Sequence, residues 1–196
     1  MSPGPGTVII TVPGLRGDVT DHWQSRLAAA LPNVRPVPPL GPQNPSLDER
    51  VAALHRTIEA TEGPVVLVAH SAGVITTVHW AARHAARPAG RVRGALLATP
   101  PDLAAPLPAA YPSPPALAAL GWLPVPRQPL PFPSIVAASA DDPLGDPALV
   151  RALADAWGSR YRELGAVGHL NPASGYGDWP GAEPLIAELD HPEAPR

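Results

Sequence analysis

The stretch from Pro64 to Gly73 reads Pro-Val-Val-Leu-Val-Ala-His-Ser-Ala-Gly, and it leaves the chain few folds to choose from. Val65 to Val68 form an apolar, β-branched run bounded by Gly63-Pro64, the pattern of a strand buried on both faces, as parallel-sheet strands are. The run breaks into Ala69-His70-Ser71-Ala72-Gly73 and enters an Ala-rich helical stretch, Val74 to Ala86. Strand, tight turn, Ser and helix in succession are the context a nucleophile elbow needs. Such a turn leaves no room for a large side chain two residues to either side of the Ser, a demand that Ala69 and Gly73 meet. The Ser71 hydroxyl is expected above the sheet edge. The N–H groups of Ser71 and Ala72 then begin a helix whose positive end can face a developing oxyanion. By itself, the pentapeptide is also what a Ser-capped helix start looks like. The rest of the chain must supply a base, an acid and a second oxyanion donor.

Apolar runs and helical stretches alternate along the whole chain. Thr7 to Val12 is a β-branched first strand, followed by Pro13-Gly14-Leu15-Arg16-Gly17. Thr20-Asp21 predicts a helix start, with Trp23, Leu27, Ala30 and Leu31 on one face and Pro32 as the stop. Val34 to Val37 predicts a short strand near an edge, given Pro36 and Pro38. Ser46, with Glu49 three residues on, predicts a capped helix from about Leu47 to Ala60, buried through Val51, Leu54 and Ile58. Beyond the elbow, Val92 to Ala98, Ser134 to Ala140 and Arg160 to Leu164 read as strands. Helices are expected at Pro115 to Leu120, from Asp146 to Trp157, and from Gly181 to Leu189. Together these predict an α/β fold: a three-layer core of about six mostly parallel strands with helices on both faces and no large lid. One domain is expected over 1–196, with 190–196 as a loose tail.

Composition narrows the chemistry. No cysteine is present, so disulfides, thiolate metal sites and a Cys nucleophile are excluded. The net charge of −3 gives no reason to expect nucleic acid or an anionic membrane as partner. No secretory signal or membrane-spanning run is legible, so the cytoplasm is the expected compartment. The 30 prolines fall between the apolar runs and read as loop punctuation. They are dense in 100–133, which is expected to lie over the active edge of the sheet.

In open α/β sheets, ligands bind at the carboxyl ends of the strands. Gly14-Leu15 follows the first strand, Ser71 the third, Asp141-Asp142 the fifth and His169 the sixth. The order Ser, Asp, His along the chain is that of α/β-hydrolases. A Ser hydroxyl needs a base within hydrogen-bond reach, which His169 can be. A carboxylate must hold the other imidazole nitrogen; spacing leaves Asp141 and Asp142 equally eligible. The backbone N–H groups of Leu15 and Ala72 are the expected oxyanion hole.

These landmarks resemble the small serine hydrolases of the retinoblastoma-binding protein 9 / YdeN type, in particular their bacterial branch. The resemblance covers nearly the whole chain. It is carried by Val12-Pro13-Gly14, Asp21-His22-Trp23-Gln24-Ser25-Arg26, His70-Ser71-Ala72-Gly73, Ser139-Ala140-Asp141-Asp142-Pro143, Gly168-His169-Leu170-Asn171 and Ser174-Gly175-Tyr176-Gly177-Asp178-Trp179-Pro180. It implies a compact, lidless α/β-hydrolase core with a Ser-Asp-His triad, and it implies that Asp142 is the triad acid. Ala69 for the usual Gly and the proline-dense 100–133 depart from the family pattern.

The expected activity is hydrolysis of a small carboxylic ester, or an amide, through an acyl-enzyme. Two alternatives are an acyltransferase using the same triad and a protein-interaction module with vestigial catalysis. Gly14, His70, Trp122 and Trp179 are the expected pocket residues, Trp23 is expected in the core, and Asp141 is expected to cap a loop or face solvent. Arg16 is either a surface residue or a partner for a substrate carboxylate. No metal or cofactor is expected. The other histidines lack a ligand-like arrangement. The expected partner is a small-molecule substrate, with the chain a monomer or homodimer.

Overall fold

The computed structural model describes residues 6–16, 19–40, 46–84 and 91–191. Six strands alternate with helices: β1 (Val8–Val12), α1 (Trp23–Ala30), β2 (Val34–Pro36), α2 (Leu47–Glu59), β3 (Val65–His70), α3 (Ala72–His84), β4 (Val92–Ala98), α4 (Pro114–Ala119), β5 (Ser134–Ala138), α5 (Pro147–Trp157), β6 (Arg160–Glu163) and α6 (Ala182–Asp190). Every strand pairing is parallel, and the spatial order is β2-β1-β3-β4-β5-β6. The order reverses between β1 and β3, so a crevice opens at their carboxyl ends.

The strand period of two sorts side chains into two cores. Ile10, Leu67, Ala69, Leu97 and Val136 point to one face, where α2, α3 and α5 cover them with Leu54, Ile75, Val78, Leu153 and Trp157. Ile9, Val66, Val68, Leu96 and Ile135 point to the other, beneath Trp23 and Leu27 of α1 and Leu185, Ile186 and Leu189 of α6. All six residues of β3 are buried, because the strand has neighbours on both sides and helices above and below. The edges are different. β2 is short and carries Pro36, while β6 is Arg-Tyr-Arg-Glu and mostly exposed, which discourages pairing with another chain.

Several boundaries differ from expectation for local reasons. The first helix starts at Trp23 rather than at Thr20-Asp21, because His22 is its cap: Nδ1 accepts the Gln24 N–H at 3.2 Å. Ser46 occupies the cap position of α2 without a side-chain capping bond. Asp146 caps α5 as expected, accepting from the N–H groups of Ala148 and Leu149. Asp190, expected to begin the tail, belongs to α6 and is fully buried, accepting the Thr7 hydroxyl at 2.6 Å. The expected helix end at Ala86 and the tail 192–196 lie outside the described residues. No described helix is long and apolar enough to cross a membrane.

Candidate active site

The turn after β3 has the strain its sequence predicts. Ser71 sits at φ +56°, a left-handed conformation costly for a residue with a Cβ. Of the two N–H groups that open the helix, that of Ser71 is taken by the Ala98 carbonyl at 3.0 Å; that leaves the Ala72 N–H, first in α3 and without a partner inside its helix. Gly73 lies against the end of β1 so closely that a Cβ there would stand 2.1 Å from the Val12 carbonyl oxygen. Gly14, from the loop after β1, sits over the turn, where an added Cβ would lie 3.4 Å from the Ser71 Cβ.

Three loops at the carboxyl edge bring their polar residues together. Ser71 Oγ lies 2.8 Å from His169 Nε2, and His169 Nδ1 lies 2.9 Å from both carboxylate oxygens of Asp142. The His169 and Asp142 side chains are only 5 % and 3 % exposed. With Nδ1–H donated to the carboxylate, Nε2 is left as the acceptor facing the Ser71 hydroxyl. Asp142 Oδ1 also accepts the Leu144 N–H at 2.9 Å, which fixes the carboxylate plane.

The His169 backbone is held on both sides. Its N–H donates to Ser174 Oγ at 3.0 Å. Its carbonyl lies 2.9 Å from Nε2 of buried His70. Burial holds the His70 pKa well below the ordinary imidazole value, and repulsion from the neighbouring rings of His22 and His169, whenever they are protonated, pushes the same way. His70 is therefore neutral and donates through Nε2–H. Asp141 does not reach His169. It accepts the Gly168 N–H at 2.7 Å and the Ser139 hydroxyl at 2.9 Å, and these two bonds, the first the larger, hold its pKa below the carboxylate norm.

Two clefts meet at Ser71. One is apolar and lined by Pro101, Leu103, Leu107, Leu117, Trp122 and Leu144, together with Leu15 and Ala72. The other is the more polar of the two: Arg16, His22, Gln24, His70, His169 and Asn171 line it, with Gly14 and Leu15. Tyr111 borders both, and the Arg16 guanidinium lies 5.1 Å from its ring centre. Most of the apolar wall comes from 100–133, so that segment shapes one side of the site.

A model of the serine hydrolase family matches residues 9–188. The chain belongs to the serine hydrolase family. The fold is shared with a YdeN-like hydrolase of Pectobacterium atrosepticum at 25 % identity and TM-score 0.79, over 94 % of this chain and 91 % of that one. It is also shared with the ydeN gene product of Bacillus subtilis at 19 % and 0.66, over 94 % and 98 %. A type II thioesterase from the borrelidin biosynthetic cluster matches at 18 % and 0.64, over 97 % and 96 %. A search of curated protein sequences finds no match.

Not every residue expected at the site of this hydrolase is there. Trp179 lines neither cleft. It packs edge-on to Trp23, with ring centres 4.9 Å apart, while the neighbouring Asp178 accepts from Arg26 at 3.0 Å. The two motifs Asp21–Arg26 and Ser174–Pro180, from opposite ends of the chain, therefore clasp each other. Gln24 adds bonds to the carbonyls of Val12 and Val68 at 3.2 and 2.8 Å, tying α1 to the ends of β1 and β3. Trp122 is fully buried and lines the apolar cleft, and His70 both lines the polar cleft and anchors His169. Sequence reasoning missed Tyr111 and Arg50. For Arg50 a signal exists: it falls among Leu47, Val51, Leu54 and Ile58, a charge on the apolar face of α2.

Proposed function

We propose that this serine hydrolase cleaves a small carboxylic ester through an acyl-enzyme on Ser71. The observation that carries the reading is the 2.8 Å approach of Ser71 Oγ to His169 Nε2, with the far nitrogen held by Asp142. In the first half-reaction Oγ attacks the carbonyl carbon and its proton passes to Nε2. Asp142 stabilises the resulting imidazolium without taking the proton. The N–H groups of Leu15 and Ala72 receive the oxyanion. When the tetrahedral adduct collapses, His169 protonates the departing alcohol. Water then repeats the sequence on the acyl-enzyme and releases the acid.

The direction of proton delivery assigns the clefts. His169 lines the polar cleft and not the apolar one, so the leaving group occupies the polar side and the acyl group the apolar side. The apolar side is closed in by Leu103, Leu107, Leu117, Trp122 and Leu144, a lining that favours short aliphatic acyl chains. A fluorophosphonate probe is expected to modify Ser71 in the wild type and not in Ser71→Ala. An unmodified, folded wild type beside a labelled control hydrolase would overturn the reading. In a series of 4-nitrophenyl esters, kcat/KM should peak at short chains.

A further inference from the structure

Arg50 is buried, with 8 % of its surface exposed, on the face of α2 that packs against the sheet. Its guanidinium lies 5.8 Å from the ring centre of Trp122. Among the described residues it has no carboxylate partner, and its Nε has no acceptor. Burial pulls its pKa below the ordinary guanidinium value, yet Arg stays charged in proteins. Both terminal nitrogens donate to the loop after β1: Nη1 to the Gly14 carbonyl at 3.2 Å and Nη2 to the Leu15 carbonyl at 2.7 Å.

Those acceptors flank the Leu15 N–H. The Gly14 carbonyl and the Leu15 N–H belong to one peptide plane, and in a trans peptide they point in opposite directions. A donor that fixes the Gly14 oxygen toward α2 therefore turns the Leu15 N–H away from α2. Gly14 approaches Ser71, and Leu15 lines both clefts beside it. Among the described residues no backbone acceptor takes the Leu15 N–H. The free rotation of an unanchored Pro13–Arg16 loop would allow the opposite peptide orientation, with a carbonyl facing the site. We propose that Arg50 is a positioning residue that holds the Gly14–Leu15 peptide in the orientation that makes an oxyanion hole. The inference rests on the reading of Leu15 as an oxyanion donor in ester hydrolysis. Two parallel donors are required, so a Lys at this place supplies the charge but not the fork.

The test compares wild type, Arg50→Lys, Arg50→Gln and Arg50→Ala on a short-chain 4-nitrophenyl ester, with thermal melting on each protein. Removing one oxyanion donor costs roughly 10²–10³-fold in kcat, so a peptide that only sometimes faces away should cost about 10–100-fold. The loss is expected in kcat with KM within about threefold. Ethylguanidinium at millimolar concentration should restore Arg50→Ala several-fold and leave wild type and Ser71→Ala unmoved. A trifluoromethyl ketone should lose affinity in parallel with kcat/KM. If wild type turns over but folded Arg50→Gln keeps kcat within threefold, the Arg50 proposal fails and the hydrolase reading stands. Loss without chemical rescue, accompanied by matching losses in kcat, KM and melting temperature, makes Arg50 a structural residue only and also overturns it. If Arg50→Gln and Arg50→Ala do not fold, Arg50→Lys decides: wild-type kcat there refutes the need for the fork. A wild type with no ester turnover and no fluorophosphonate labelling removes the underlying reading instead.

Discussion

Gly73→Ala tests how tightly the elbow is tied to the first strand. The added Cβ would stand 2.1 Å from the Val12 oxygen, 2.8 Å from the Pro13 oxygen and 2.8 Å from the Val12 carbonyl carbon. A carbon normally stays about 3.3 Å or more from a carbonyl oxygen, so the end of β1 and the start of α3 must part by roughly 1 Å. All three atoms are backbone and cannot rotate away. Nor can β1 retreat freely: it is laddered to β2 on one side and β3 on the other, with Val12 in register with Ala69. Overpacking of this kind costs about 1–3 kcal/mol, and the absence of a yielding neighbour places it near the upper end. For a domain of this size each kcal/mol lowers Tm by about 2–4 °C, so a drop of roughly 6–12 °C is expected. The displaced strand end leads into Pro13–Leu15, so the Leu15 N–H moves with it, and a misplacement of about 1 Å costs about 100-fold in rate. The assay is thermal melting by circular dichroism with kcat/KM on a short ester, measured well below the melt. Ala69→Gly is the control: it creates no clash and should cost about 0.5–1 kcal/mol with turnover retained. A Gly73→Ala protein that melts within 2 °C of wild type would refute the steric argument. One that melts lower but keeps full turnover per folded molecule would refute the link from β1 to the oxyanion site.

Two further outcomes follow from the hydrogen bonds. Asp142→Asn offers an amide to His169 Nδ1, so the ring takes the tautomer with a proton on Nε2 and cannot accept from Ser71. The expected loss in the acylation rate is roughly 10³–10⁴-fold, read by stopped-flow release of 4-nitrophenol, and a loss under tenfold would show that the carboxylate does not orient the ring. Asp141 has a lowered folded pKa, so its contribution is fully present above the ordinary value of 3.8 and fades as pH falls through the folded pKa. Wild type should therefore melt above Asp141→Asn at pH 7, and the gap should close below about pH 4. A gap independent of pH would mean that the bonds to Gly168 and Ser139 do not depend on the charge.

Much of the architecture was legible because its causes are local. The β-branched runs, Pro147 and Asp146 at the start of α5, and small residues around Ser71 report on backbone geometry within a few residues of themselves. The first helix was misplaced because a histidine, not the better capping residue Thr20, supplies the cap. Trp179 was misassigned because closeness to His169 in sequence says nothing about direction; the turn at Pro172–Ser174 carries the chain back to α1. Asp141 and Asp142 are adjacent, and only the side-chain directions separate the residue that meets His169 from the one that ties down Gly168.

What the amino-acid sequence determined by itself is the parallel α/β plan and the edge on which Ser71, the acidic pair and His169 fall. Strand periodicity and the parallel crossover dictate that the loops after β1, β3, β5 and β6 share one end of the sheet. What only the tertiary structure decided are the distances between residues far apart in the chain. These include the His70 bond to the His169 carbonyl across 99 positions, the Arg50 fork across 35 and 36, and the division of the site into an apolar and a polar cleft. The physical reason is that hydrogen bonds and packing act over a few ångströms, whereas sequence spacing constrains separation only within an element. Between elements, the sheet order and the helix packing set it.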